Sequence, residues 1–204
     1  MAREHVDHSD IAEFAKEKVN LPKEWADEYR EQAWRLGTKL EGYIADHPDF
    51  NLKRIMLSGS LAKGSALRNL NDIDMACYIQ GSETPKDISA LIEYLADKLR
   101  KAFPNFKPEQ VKPQTYSVTV SFIGSGLDVD VVPILFDGNA DWEGDLISQD
   151  DGSFLRTCIP KHLDFIKRRK SKQPNHFIQV IRLAKFWVKN IKEEKSDFRF
   201  KSFM

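Results

Sequence analysis

Ser58-Gly59-Ser60-Leu61-Ala62-Lys63-Gly64-Ser65-Ala66-Leu67-Arg68-Asn69-Leu70-Asn71-Asp72-Ile73-Asp74-Met75-Ala76-Cys77-Tyr78 is the stretch on which the interpretation of this chain turns. It begins where the apolar run Ile55-Met56-Leu57 ends and crosses a loop of small residues and a lysine. It then enters a second apolar run that carries two acids at its start. Strand residues two apart project from one face, so Asp72 and Asp74 share a side while Ile73 and Met75 turn inward on the other. Neighbouring carboxylates on a half-buried strand raise each other's proton affinity unless a cation lies between them. Backbone N–H groups and hydroxyls of a Gly/Ser loop suit phosphates, and carboxylates hold the divalent ion that accompanies them. The stretch predicts a nucleoside-triphosphate site.

The same logic repeats at Leu127-Asp128-Val129-Asp130-Val131-Val132-Pro133, where two acids again share one face of an apolar strand. One of the two would complete a set of three carboxylates. Such a set suits two Mg²⁺ ions, with Mn²⁺ as a possible substitute. One ion activates an attacking hydroxyl and the other neutralises the departing pyrophosphate.

The chain has 204 residues, with 31 basic and 31 acidic side chains and a formal net charge of zero. A protein that lives on long nucleic acid usually carries a large basic excess to release counterions, so no stable partner of that kind is expected. Cys77 and Cys158 stand far apart without metal-ligand spacing and read as reduced thiols. No run approaches the length of a membrane helix, and Met1-Ala2-Arg3-Glu4-His5 leads into a polar stretch. These features predict a cytoplasmic globular protein without membrane contact.

Periodicity predicts a short helix over Ser9–Lys18 with Ser9 as N-cap, then a longer one over Pro22–Ala45. In the longer helix Trp25, Tyr29, Trp34, Leu36, Leu40 and Tyr43 form the core-facing stripe. Lys53–Leu57 and Asp72–Gln80 read as strands. Thr84-Pro85 opens a helix with Thr84 as N-cap, which turns Ile88, Leu91, Ile92, Leu95 and Leu99 inward and stops before Pro104. Val111 and Tyr116–Ile123 read as strands, Gly124-Ser125-Gly126 as a hairpin turn, and Leu127–Leu135 as the returning strand. Asp137–Ser153 is acidic and aperiodic, a surface loop that could lie over the site. Helices follow over Pro160–Lys172 and from His176 to about Lys192. The expected fold class is α+β (mixed α/β): a small mixed sheet with flanking helices, then a helical C-terminal region. Three units are expected: an N-terminal segment over 1–21, a catalytic core over 22–155, and the start of a helical region over 156–204.

A strand, Gly-Ser, about a dozen residues, Asp-x-Asp, then a third Asp in an apolar strand ending in Pro is a specific combination. It resembles the polymerase-β-like nucleotidyltransferase superfamily. Within it the chain looks most like the oligoadenylate-synthetase and cyclic GMP–AMP synthase branch, including the bacterial cGAS/DncV-like nucleotidyltransferases (CD-NTases, the CBASS oligonucleotide cyclases). Gly59-Ser60 with Lys63-Gly64-Ser65-Ala66-Leu67-Arg68 is similar to that branch's phosphate loop, with Ser65 where threonine is usual. The resemblance implies that Asp72, Asp74 and Asp130 are the catalytic, metal-holding acids, and its register selects Asp130 over Asp128. It implies that Gly59, Ser60, Lys63 and Lys185 bind the nucleotide, Lys185 lying in Ile181-Arg182-Leu183-Ala184-Lys185-Phe186-Trp187. Ser202, in Arg199-Phe200-Lys201-Ser202-Phe203-Met204, would contact phosphate. His162-Leu163-Asp164-Phe165-Ile166-Lys167-Arg168-Arg169-Lys170 resembles a segment of the bacterial members. It is either a solvated basic face or a contact to an acceptor nucleotide or regulatory ligand. Members of the family continue beyond the position of Met204, so the resemblance implies a truncated helical region whose missing part closes the cleft.

The implied activity joins nucleoside triphosphates (ATP, GTP or others), with pyrophosphate release, into a cyclic or short oligonucleotide. That second messenger would activate a partner effector protein in bacterial antiphage signalling. Two alternatives share these elements: a tRNA CCA-adding or poly(A)-type nucleotidyltransferase, and an inactive truncated homologue that only binds nucleotide.

Overall fold

The computed structural model describes residues 6–47, 51–81, 84–85, 87–147 and 153–194. Its centre is β2 (Asp72–Ile79), in which Ile73, Met75, Cys77 and Ile79 alternate into the main core. β1 (Leu52–Leu57) pairs with it antiparallel, and β5 (Leu127–Phe136) pairs with it parallel on the other edge. β5 is long enough to serve two partners on its far edge. Its first half takes β4 (Val118–Phe122), which in turn takes β3 (Val111–Pro113), and its second half takes β6 (Gly144–Ile147). β7 (Phe154–Thr157) closes a hairpin on β6. The sheet is mixed and seven-stranded, with the order β1-β2-β5-β4-β3 and the β6–β7 hairpin branching from β5.

One face of the sheet is covered by α2 (Lys23–Asp46) and α4 (Ile88–Ala102), whose Leu36, Leu40, Leu91, Leu95 and Leu99 join the β2 and β5 residues in one core. The opposite face is divided. At one end lie the acids of β2 and β5. At the other, Ala76, Tyr78 and Ile134 are covered by Leu146 of β6, by Trp142 and by Ile159 at the start of α5 (Ile159–Lys172). The Tyr78 hydroxyl accepts the Ile159 N–H at 3.2 Å, which ties that helix start to the sheet. A third cluster joins the N-terminal segment to α6 (Phe177–Glu194), with Ala15, Val19 and Leu67 packed against Leu183 and Phe186.

Several expectations are corrected. α1 (His8–Phe14) starts behind Asp7, whose N–H donates to Asp10, so Ser9 lies inside the helix and a π-helical turn over Ala15–Val19 follows. Asp87, not Thr84, caps α4: its carboxylate accepts the Ala90 N–H at 3.0 Å, and Thr84 is buried upstream. Trp25 and Trp34 do not face the core, being 43% and 67% exposed, and the buried stripe of α2 is Ala26, Ala33, Leu36, Gly37 and Leu40. Trp25 is instead covered by the Arg68 guanidinium, 5.5 Å from its ring. The stretch from Asp137 is not wholly a loop, because Gly144–Ile147 is β6, built on the half of β5 away from the acids. Cys77 and Cys158 are free and buried, as their spacing suggested. Among the described residues no helix is long and apolar enough to cross a membrane.

Candidate active site

The parallel register of β2 and β5 sets Asp72 opposite Asp128 and Asp74 opposite Asp130. Neighbouring strands run about 4.8 Å apart, so four acids gather at one end of one sheet face. Asp74 is more enclosed than Asp130. Burial pushes its carboxyl up to about 6, and the charges of Asp72 and Asp130 push the same way. The Ser60 backbone N–H, which donates to this carboxylate, and the Lys63 ammonium oppose the rise. Burial also raises Asp130, with Asp72 and Asp128 adding to it, against the hydrogen bond from Thr119. That bond runs from Thr119 Oγ1 to Asp130 Oδ1 at 2.5 Å, between directly paired residues of β4 and β5.

The Gly-Ser loop is pressed against these acids. Ser58 N–H donates to the Asp74 carbonyl at 2.8 Å, which aligns the end of β1 with the start of β2. Gly59, at φ +61°, then turns the chain into a single helical turn, α3 (Gly59–Ala62), that carries Ser60. The loop closes on itself where Ser65 N–H donates to the Ser60 carbonyl at 2.9 Å.

Two cations of α6 grip the far side of this loop. Lys185 Nζ donates to the Ser65 carbonyl at 3.2 Å, and Arg182 donates through Nε and Nη2 to the Gly64 carbonyl at 3.1 and 2.8 Å. Burial lowers the ammonium groups of both Lys63 and Lys185, while Asp74 draws both the other way. Two half-desolvated lysines thus stand beside desolvated carboxylates, an arrangement that gains from a ligand carrying both phosphate and metal charge. Beside the acids opens a cleft of about 480 Å³, lined among others by Asn71, Lys112, Gln114, Tyr116, Thr119 and Asp128.

Among the described residues no three His, Cys, Asp or Glu side chains converge into a ready-made ion cage. The donor set is nonetheless all carboxylate oxygen, which matches a hard divalent cation. Mg²⁺ commonly takes one or two carboxylates and completes its shell with water and substrate phosphate.

Of the residues singled out in the sequence, Asp72, Asp74, Asp130, Gly59, Ser60, Lys63 and Lys185 meet around this one site. Ser202 lies outside the described residues. His162 of α5 lines a small cavity behind Ser58, Gly59 and Lys63, whereas Lys167, Arg168, Arg169 and Lys170 are exposed. Arg168 pairs with Asp164 at 2.9 Å, and Arg169 lies over Phe165. Sequence reasoning missed Arg182 and Thr119. Arg182 left a signal, standing three residues before Lys185 on one helix face. Thr119 left none: a three-residue turn at Gly124-Ser125-Gly126 would pair position 120 with 130, and the turn instead takes in Ile123, so Phe122 pairs with Leu127 and Thr119 with Asp130.

No family model matches the chain. It is 68% identical over all its 204 residues to a protein named cyclic AMP-AMP-AMP synthase from Escherichia coli (strain MS 115-1), covering 64% of that protein. It is 32% identical over 202 residues to the CBASS oligonucleotide cyclase CdnC of E. coli (strain KTE188), covering 97% of this chain and 64% of the relative. Among solved structures, E. coli MS115-1 CdnC with ATP superposes with a TM-score of 0.93 at 69% identity, over 98% of this chain and 63% of that one. The same protein in a CdnC:HORMA-deltaN complex gives 0.90 at 66% identity, over 100% of this chain and 63% of that one. The chain thus spans a little under two thirds of the relatives it matches. In sequence over its whole length and in fold, it belongs to the cGAS/DncV-like nucleotidyltransferases, the CD-NTases.

Proposed function

We propose that this chain carries the catalytic core of a cytoplasmic, Mg²⁺-dependent CD-NTase that condenses nucleoside triphosphates into a cyclic oligonucleotide with release of pyrophosphate. The observation that carries this is the β2–β5 register, which sets Asp74 beside Asp130 against the Gly59-Ser60 loop while Lys185 reaches that loop from α6. ATP is the proposed substrate and a ring of three adenylates the proposed product, because the 68%-identical relative is named for that product and a similar CdnC was solved with ATP. Residues 22–155 form the core in this reading, and α6 of the 156–204 region supplies the opposite wall.

Loop N–H groups and the Ser60 hydroxyl hold the β- and γ-phosphates, with Lys63 and Lys185 neutralising their charge. Ser202 would contact the same phosphates, as the family resemblance implies. Asp72, Asp74 and Asp130 hold two divalent ions that, when bound, lower the pKa of the attacking hydroxyl and offset charge on the leaving pyrophosphate. The 2′- or 3′-hydroxyl of an acceptor nucleotide, entering from the cleft beside Thr119, forms a bond to the α-phosphorus. The bond from that phosphorus to pyrophosphate breaks, and the product's own terminal hydroxyl closes the ring by the same step. A HORMA-type protein, as in the similar CdnC complex, and an effector that recognises the product are the proposed partners, in antiphage signalling of the CBASS type.

Incubation of the protein with α-labelled ATP and Mg²⁺, then phosphatase treatment and chromatography, tests this. A phosphatase-resistant small product is expected. Label found only on added tRNA, or ATP binding without turnover, would overturn it.

A further inference from the structure

We propose that Thr119 is the positioning residue for the third metal-holding acid, fixing the Asp130 carboxylate by a hydrogen bond across β4 and β5. The inference rests on the metal-site reading above. Thr119 is 9% exposed and directly opposite Asp130, and its hydroxyl donates to Oδ1 at 2.5 Å. A free aspartate on a strand turns readily about its terminal torsion. Threonine is β-branched and stiff at χ1, so its hydroxyl is a fixed post on the neighbouring strand. With Oδ1 held there, Oδ2 is the oxygen left free of that bond for a cation.

The pairing also separates the two acids of β5. Asp128 stands opposite Ser121, and no side-chain hydrogen bond joins them among the described residues. The Ser121 carbonyl instead accepts Gln110 Nε2 at 2.8 Å. Of the two β5 acids, then, Asp130 is the one held by a neighbouring hydroxyl. A charge-assisted bond from a hydroxyl to a carboxylate is short and roughly twice as strong as a neutral one. Partners of this kind around metal ligands commonly contribute about 10–100-fold to metal affinity.

The test measures Mn²⁺ binding by electron paramagnetic resonance, in the presence of a non-hydrolysable ATP analogue. It compares wild type with Thr119→Val, Thr119→Ser, Thr119→Ala and Asp130→Asn. Thr119→Val keeps the branched shape and loses the hydroxyl, and binding about tenfold weaker or more is expected. The Ser and Ala variants differ only in the hydroxyl, so Ser, which keeps the donor but not the stiffness of Thr, should fall between wild type and Ala while Ala weakens as Val does. Equal binding by Ser and Ala, or wild-type binding by Val, overturns the positioning role, and the Ser–Ala comparison stands even if Val does not fold. Undiminished binding by Asp130→Asn overturns the metal-site reading itself, and the role of Thr119 with it. In turnover, excess Mg²⁺ should restore the Thr119→Ala rate, whereas a general structural defect would leave it low at all Mg²⁺ concentrations.

Discussion

The backbone of Gly59 and the carboxylate of Asp74 occupy adjoining space: a Cβ on Gly59 would lie 1.7 Å from Asp74 Oδ2 and 2.4 Å from its Cγ. Gly59 also sits at φ +61°, where L side chains are strained. Position 59 therefore excludes a side chain on two independent grounds, and the carboxylate it crowds is the one at the centre of the acidic cluster.

Gly59→Ala should displace Asp74 or the loop and lower product formation by about a hundredfold, the order expected when a reacting group moves by about 1 Å. Thermal melting should fall as well, because backbone strain of about 1–3 kcal/mol is added. A variant with wild-type turnover would show that the loop does not need to touch Asp74.

Asp72→Ala combined with Asp74→Ala should abolish product while leaving the far-ultraviolet circular dichroism unchanged. Both side chains leave the sheet on the face opposite Ile73 and Met75, so the core beneath β2 is untouched. Undiminished product would remove the metal assignment.

Asp74 also gives the metal-free protein a pH dependence. Burial pushes its carboxyl up to about 6 from the ordinary aspartate value of 3.8, so between the two the native state holds a proton that the unfolded chain has released. Stability from this group is present below the lower value and is lost as pH rises through about 6. Asp74→Asn should therefore melt at a higher temperature than wild type at pH 8, with the difference closing toward pH 4. Calorimetry in the presence of a chelator measures it. A constant difference across that range would show that the fold does not raise the proton affinity of Asp74.

Lys185→Met should leave the fold intact and weaken ATP binding by about tenfold to a hundredfold, from the loss of a charged hydrogen-bond donor of about 1.5–3 kcal/mol. Desolvation already disfavours this ammonium, so methionine removes a destabilised charge from the free protein. Titration calorimetry with ATP reads the affinity and thermal melting reads the fold. Unchanged affinity would confine Lys185 to its contact with the Ser65 carbonyl.

The sequence by itself determined what is local. Alternation along Asp72–Ile79 set the acids on one face and the core on the other, and small residues between two apolar runs announced the Gly-Ser loop. Gly124-Ser125-Gly126 marked the hairpin between β4 and β5, but exposed Ile123 joins the turn, so Phe122 pairs with Leu127 and the register is one residue off that of a three-residue turn. Only the tertiary structure decided which acids meet. The parallel pairing of β2 with β5 joins residues more than fifty positions apart, and nothing in either strand alone encodes that register.

The same holds for α2. At about 100° per residue, Trp25 and Trp34, nine positions apart, point in opposite directions, so no single buried face could hold both. Burial selected Ala26 and Ala33 between them and Leu36, Gly37 and Leu40 beyond, where the helix lies against β1 and β2. β6 is only four residues long and has no periodicity to reveal it. It is a strand because β5 offers it an edge and because Arg156 of β7 reaches Asp145 at 3.4 Å and Asp137 at 2.5 Å. Thr119 is a threonine in an apolar strand until the fold sets it against Asp130. Local pattern specifies which face a side chain takes, and long-range pairing specifies what it finds there.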